Sequence, residues 1–170
     1  MTAFVALLRA VNVGGTGKLP MRALKALCEG LGFGQVRTYI ASGNVVFASG
    51  LSARIVKASL EDSMRDYAGK PVGVFVRTGA EMSAIVAGNP FPDAPPARVA
   101  AIFLDARPAD DALDHVSGAD GEQIALGRRE IYVHYINGMG RSRLRIPVAA
   151  DGTARNMNTV AKLAAMAAEL

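Results

Sequence analysis

Phe4-Val5-Ala6-Leu7-Leu8 is an uninterrupted apolar run of strand length near the start of the chain. A strand without polar alternation must be covered on both faces, so this one belongs at the centre of a sheet. The glycine-rich turn Asn12-Val13-Gly14-Gly15-Thr16-Gly17-Lys18 follows it. A helix is predicted next. Pro20 suits a first helical position, Met21, Leu24, Leu27, Cys28 and Leu31 recur at three- and four-residue spacing, and Gly32 is placed to end the helix. Residues 36–41 and 45–48 are β-rich runs around Ser42-Gly43-Asn44, where Gly and Asn tolerate the positive φ of a tight hairpin. Val56, Leu60, Met64 and Tyr67 then share one helical face, and residues 72–77 read as a strand. The order is β-α-β-β-α-β, that of a ferredoxin-like unit.

Residues 81–87 suggest a short helix running into a stretch with Pro90, Pro92, Pro95 and Pro96, which can continue neither a helix nor an interior strand. The expected division is therefore a first unit over residues 1–87, a proline-rich connector over 88–97 and a second unit over 98–170. In the second unit, residues 99–104 read as a strand, 108–116 as a helix, and 124–126 with 131–135 as a hairpin around Gly127-Arg128-Arg129. A final helix is predicted from about Asn158 to Leu170, with Val160, Leu163, Ala164, Ala167 and Leu170 on one face. No last strand is evident from the residues, so the second repeat is expected to be incomplete. The fold class is α+β: two ferredoxin-like units, the second incomplete, plus a C-terminal helix. No residue-level repeat is visible between them.

With 51% hydrophobic and 20% charged residues, the 170-residue chain is neither disordered nor short of core-forming side chains. Its one cysteine, Cys28, lies in an apolar helical pattern and reads as a buried thiol, without a disulfide. The first residues lack a basic start and a cleavage site, and no apolar stretch is long enough to cross a membrane. The expectation is a cytoplasmic protein with no membrane contact. Its net charge of +4 divides into +6 over residues 1–80 and −2 over residues 81–170, with a local excess of +5 over residues 128–162. An anionic partner is permitted by that distribution.

Residues 4–15, from Phe4 through Arg9-Ala10-Val11-Asn12 to Gly14-Gly15, and residues 38–47, with Ala41-Ser42-Gly43-Asn44, resemble the opening of a bacterial family catalogued as domain of unknown function 1697. Asn89-Pro90-Phe91, Gly140-Arg141-Ser142 and residues 153–163 are similar to its later signatures, in the same order. Two departures stand out: Ala10 replaces a usual glycine, and Met157 replaces a usual aromatic. The resemblance implies a fold of two ferredoxin-like units, and it carries over no catalytic residues.

Three segments have the chemistry of a binding site. The loop containing Asn12, Gly14, Gly15 and Lys18 joins a strand to a helix, where backbone N–H groups can hold a phosphate or carboxylate. It lacks both the P-loop and the dinucleotide fingerprints, and glycines in a strand-helix turn more often serve backbone shape. Arg141-Ser142-Arg143-Leu144-Arg145 puts three arginines at alternating positions, hence on one face if extended, as a phosphate-binding row or as a solvated face. Arg155, Asn156, Asn158 and Thr159 bunch at a predicted helix start. Asn is a good N-cap, whereas Arg155 near the positive end of a helix calls for an anion or for a carboxylate such as Asp105.

Ser42 could be a nucleophile only with a base in reach, and neither His115 nor His134 is visibly recruited. Two separated histidines and one cysteine give no metal-ligand spacing, and no cofactor motif is present. The leading expectation is a protein that binds a small phosphorylated or carboxylated ligand between the Gly14-Gly15 loop and the Arg155 segment, with binding and catalysis both open. A nucleic-acid binding module is the alternative, weakened by the missing RNP1 pattern and by 6% aromatic residues without tryptophan. A protein interaction or dimerisation module, using an open sheet edge, is the other. The oligomeric state is left open.

Overall fold

A computed structural model describes residues 1–12 and 18–170 of the chain. The elements are β1 (Thr2–Leu8), α1 (Met21–Gly30), β2 (Gly34–Thr38), β3 (Asn44–Ser49), α2 (Ala53–Ala68), β4 (Val74–Thr78), α3 (Gly79–Ala87), β5 (Val99–Phe103), β6 (Gln123–Leu126), β7 (Glu130–His134), β8 (Thr153–Asn156) and α4 (Met157–Ala168). They fall into two compact units, Met1–Ser83 with Lys162–Leu170, and Ala84–Ala161. No helix among the described residues is long and apolar enough to cross a membrane.

In the first unit the sheet order is β2-β3-β1-β4, antiparallel throughout, which is the ferredoxin-like arrangement expected from the element order. Phe4 to Leu8 are all buried, as a central strand without alternation requires. Phe4, Ala6 and Leu8 pack in one cluster with Leu24 and Cys28 of α1 and Val56, Leu60 and Met64 of α2. Each is a period-matched face: every second residue on the strand, every third or fourth on the helices. Phe33 stacks on Phe47 at 4.3 Å between ring centroids, a contact worth about 0.5–1.5 kcal/mol beyond its burial. Helix α2 starts at Ser52, whose Oγ accepts the Ile55 N–H, and stops at Gly69 in the left-handed region.

The β2–β3 hairpin forms with Gly43 at the expected positive φ, but β2 ends at Thr38, the other positive φ falls on Ile40, and Asn44 is the first residue of β3. Asn44 is fully buried and its Nδ2 donates to the Tyr39 carbonyl and to Ser42 Oγ, both at 2.9 Å. Gly43 has φ +89°, and a Cβ there would sit 2.6 Å from a Val11 methyl and 2.9 Å from Leu8 Cβ. Only glycine fits both constraints.

The second unit repeats the strand order as β6-β7-β5-β8, again antiparallel. Two expectations are corrected here. A fourth strand is present: residues 153–156, read from sequence as a helix start, form β8 and pair with β5. Thr-Ala-Arg-Asn has no strand-like apolar pattern, because its place is fixed by main-chain pairing and by burial of Thr153 and Arg155. The helix expected over residues 108–116 is reduced to a 3₁₀ turn, Ala112–His115. Ala112, Leu113 and Val116 offer too short an apolar face to repay helix nucleation. The link from β7 to β8 likewise holds only 3₁₀ turns, Met139–Arg141 and Pro147–Ala149. The second unit is thus incomplete in its helices, with all four strands present.

Candidate functional site

The β1–α1 segment stores backbone strain. Ala10 and Asn12 have φ values of 57° and 56°, Ile40 in the facing hairpin loop has φ 47°, and Gln35 within β2 has φ 51°. Non-glycine residues are rare in this region, a β-branched one especially so, and such strain clusters at functional positions. Asn12 is held rather than free. Its Oδ1 accepts the Leu19 N–H at 2.6 Å, and its Nδ2 donates to the carbonyls of Leu19 and Ala41, both at 2.8 Å. The amide ties residues 12 and 19 to each other and to the hairpin. Gly14 and Gly15 lie outside the described residues.

Lys18, just beyond that loop, is exposed and lines a cleft of about 490 Å³ together with Lys70. Val11, Leu19, Met64 and Val72 form its apolar lining, and Tyr67 adds an aromatic ring. Val11, Leu19 and Met64 are buried, so the floor is fixed by the core of the unit. Neither lysine forms an ion pair with a carboxylate among the described residues, and no acidic side chain among them lines the cleft. Lys70 went unnoticed in the sequence. It follows the α2 C-cap, and its partnership with Lys18 depends on a fold that brings residue 70 to the loop after β1.

The structure also brings Arg141 and Ser142 into one cleft, of about 690 Å³, with Arg98, Asp120, Glu122 and Arg143. Ser142 Oγ donates to Glu122 Oε1 at 2.7 Å, and that bond is the first cause holding the Glu122 carboxyl below its ordinary value; a backbone hydrogen bond from Asp120 adds to it. Arg141 closes the 3₁₀ turn Met139–Arg141, and beyond it exposed Arg143 and Arg145 alternate with less exposed Ser142, Leu144 and Ile146; Arg141 and Arg143 line this cleft, whereas Arg145 lines another.

Arg155 is buried on β8, where its Nη1 donates to Thr153 Oγ1 at 2.8 Å and to the Ala154 carbonyl at 2.9 Å. Burial pushes its guanidinium down to about 10, so it stays charged at neutral pH. Asn156 is the N-cap foreseen for this segment: its Oδ1 accepts the Thr159 N–H at 3.0 Å. Thr159 is buried and Asn158 exposed.

These contacts reveal a residue-level echo that sequence reading missed. In the first unit Arg77 is buried at the penultimate position of β4 and its Nη1 donates to the preceding carbonyl, Val76, at 3.0 Å, as Arg155 does to Ala154. The next residue caps a helix in each case, Thr78 Oγ1 accepting from Glu81 and Asn156 Oδ1 from Thr159. Thr78 and Glu81 complete a reciprocal capping box. The shared signal is arginine, capping residue, helix.

Ser42 Oγ accepts from Asn44 within its turn, and His134 is hydrogen-bonded through Nδ1 to Gln123 at 3.1 Å, so both have local partners. Among the described residues no three His, Cys, Asp or Glu side chains come together to hold a metal ion.

Comparison with solved structures finds the conserved bacterial protein SP0830 from Streptococcus pneumoniae, 23% identical, covering 98% of each chain with a TM-score of 0.80. That likeness is one of fold. Comparison with curated proteins gives no match. A family model described as protein of unknown function (DUF1697) matches residues 1–132, which include Lys18 and Lys70 and end before Arg141. The match spans most of the sequence, and the chain belongs to this DUF1697 family.

Proposed function

We propose that the protein binds a small phosphorylated or carboxylated molecule in the cleft lined by Lys18 and Lys70. The observation that carries this reading is a pair of lysines, without a carboxylate partner among the described residues, lining a cleft with a fixed apolar floor. A ligand with one anionic end and one apolar end meets both surfaces. Two lysines favour a dianion, a phosphate monoester or a dicarboxylate, since each ammonium is a compact point charge. The +6 charge of residues 1–80 supplies a field of the right sign to draw such a ligand in.

Ala10, at φ 57°, lines the same cleft and supports that location. Nucleic-acid binding is favoured by no comparable feature: β1 and β3 bury both faces from Phe4 to Leu8 and from Asn44 to Ser49, leaving bases no open surface there to stack upon.

A thermal-shift survey with phosphate monoesters and dicarboxylates tests the proposal. The expected result, for one class, is a rise in melting temperature that grows with the logarithm of ligand concentration and corresponds to about 2.7 kcal/mol at a hundred times Kd. The Lys18→Ala, Lys70→Ala double variant should fold normally and lose that response. An identical response in the double variant would reject the site.

A further inference from the structure

The second unit carries a cavity where the first carries a helix. In the first unit α2 lays Val56, Leu60 and Met64 on the sheet core between β3 and β4. The corresponding link between β7 and β8 crosses without a helix, and Ile102, Leu144 and Ile146 line a cavity of about 480 Å³. That volume lies within the range of small-molecule sites, roughly 300–1,000 Å³.

Three polar residues share this lining, Ser117, Tyr135 and Arg145. The Tyr135 hydroxyl has no hydrogen-bond partner among the described residues, and burial first and the Glu122 carboxylate second raise its pKa, so it stays a donor at neutral pH. Arg145 is exposed and forms no ion pair among the described residues, yet its backbone is fixed by reciprocal hydrogen bonds with Ser117, at 2.8 and 3.0 Å. The approach of these segments is built in. Gly118 has φ +70°, and a Cβ there would lie 2.1 Å from the Arg143 carbonyl oxygen, so no other residue permits it.

We infer that this cavity binds a small monocarboxylate with an apolar body, its carboxylate on the Arg145 guanidinium and the Tyr135 hydroxyl and its body over Ile102, Leu144 and Ile146. One planar guanidinium matches one carboxylate through paired hydrogen bonds, in contrast to the two point charges of the Lys18 cleft. The site is separate from that cleft in residues and in ligand class.

Octanoate is the probe, with acetate as the headgroup alone and 1-octanol as the body alone. Titration followed by calorimetry and by amide and methyl NMR should give one saturable site, with shifts at Ile102, Tyr135 and Ile146. Acetate and 1-octanol should each bind at least about tenfold more weakly. Arg145→Ala, at an exposed side chain, should keep the circular dichroism of the parent and weaken octanoate at least about tenfold. Ala149→Phe, which fills the cavity without touching charge, should block it. The inference is overturned if octanoate fails to saturate at millimolar concentration, if Arg145→Ala binds it equally well, or if the shifts fall on Lys18 and Lys70 instead.

Discussion

Asn12 and Leu19 are joined by two hydrogen bonds, the Asn12 side chain reading both the N–H and the C=O of the Leu19 peptide across the glycine-rich loop. A third bond ties the same amide to Ala41. Asn12→Ala should therefore destabilise the protein by about 2–4 kcal/mol, from unmade hydrogen bonds together with an alanine forced to positive φ. Urea denaturation checks this. A change below about 0.5 kcal/mol, the scatter of ordinary surface substitutions, would mean that the Asn12 bonds to Leu19 and Ala41 contribute nothing to stability.

Ala10 occupies a left-handed conformation at φ 57°, and the resemblance to the family places a glycine there. Ala10→Gly should stabilise the protein by about 1 kcal/mol through relief of that strain, less the entropy glycine adds to the unfolded chain. Ile40→Asn, at φ 47° and 50% exposed, should act in the same direction with little packing loss. Melting curves that fall for both would contradict the strain.

Cys28 is buried and its thiol is pushed up to about 12, by burial first and by Glu29 second. It should not react with a disulfide reagent at pH 8 until the protein unfolds. Its linkage to stability has a definite sign. The unfolded thiol ionises near 9 and the folded one near 12, so above pH 9 the unfolded state binds fewer protons and stability falls as pH rises through that window. Cys28→Ala should show a shallower decline across the same range.

Ser142 donates to Glu122, and this bond is the first cause of the lowered carboxyl pKa. Ser142→Ala should return the Glu122 carboxyl toward its ordinary value in a ¹³C-detected NMR titration. A curve unchanged from the parent would show that other contacts hold the carboxylate.

The strands and helices with clean periodicity were legible from residues alone. Phe4 to Leu8 declared a central strand, and Ser42-Gly43-Asn44 declared a hairpin, because their signals are local. Strand β8 was hidden because Thr153 to Asn156 owe their conformation to pairing with β5, which no local pattern records. The equivalence of Arg77 and Arg155 was hidden for the same reason, as it appears only when both are seen as penultimate strand residues. At the candidate site Lys18 was visible beside its glycines, whereas Lys70 was a charge after a helix until the fold placed it at the same cleft. Arg155, read as a helix-start cation, is instead a buried strand residue with local acceptors.

The most direct test of the anion site is an NMR titration of the protein with a phosphate monoester selected by thermal shift, comparing the parent with the Lys18→Ala, Lys70→Ala double variant. The account predicts saturable amide shifts in the parent at Val11, Lys18, Leu19 and Lys70, an affinity that falls as salt rises, and their loss in the double variant. Shifts confined to other residues, or unchanged affinity in the double variant, would contradict it.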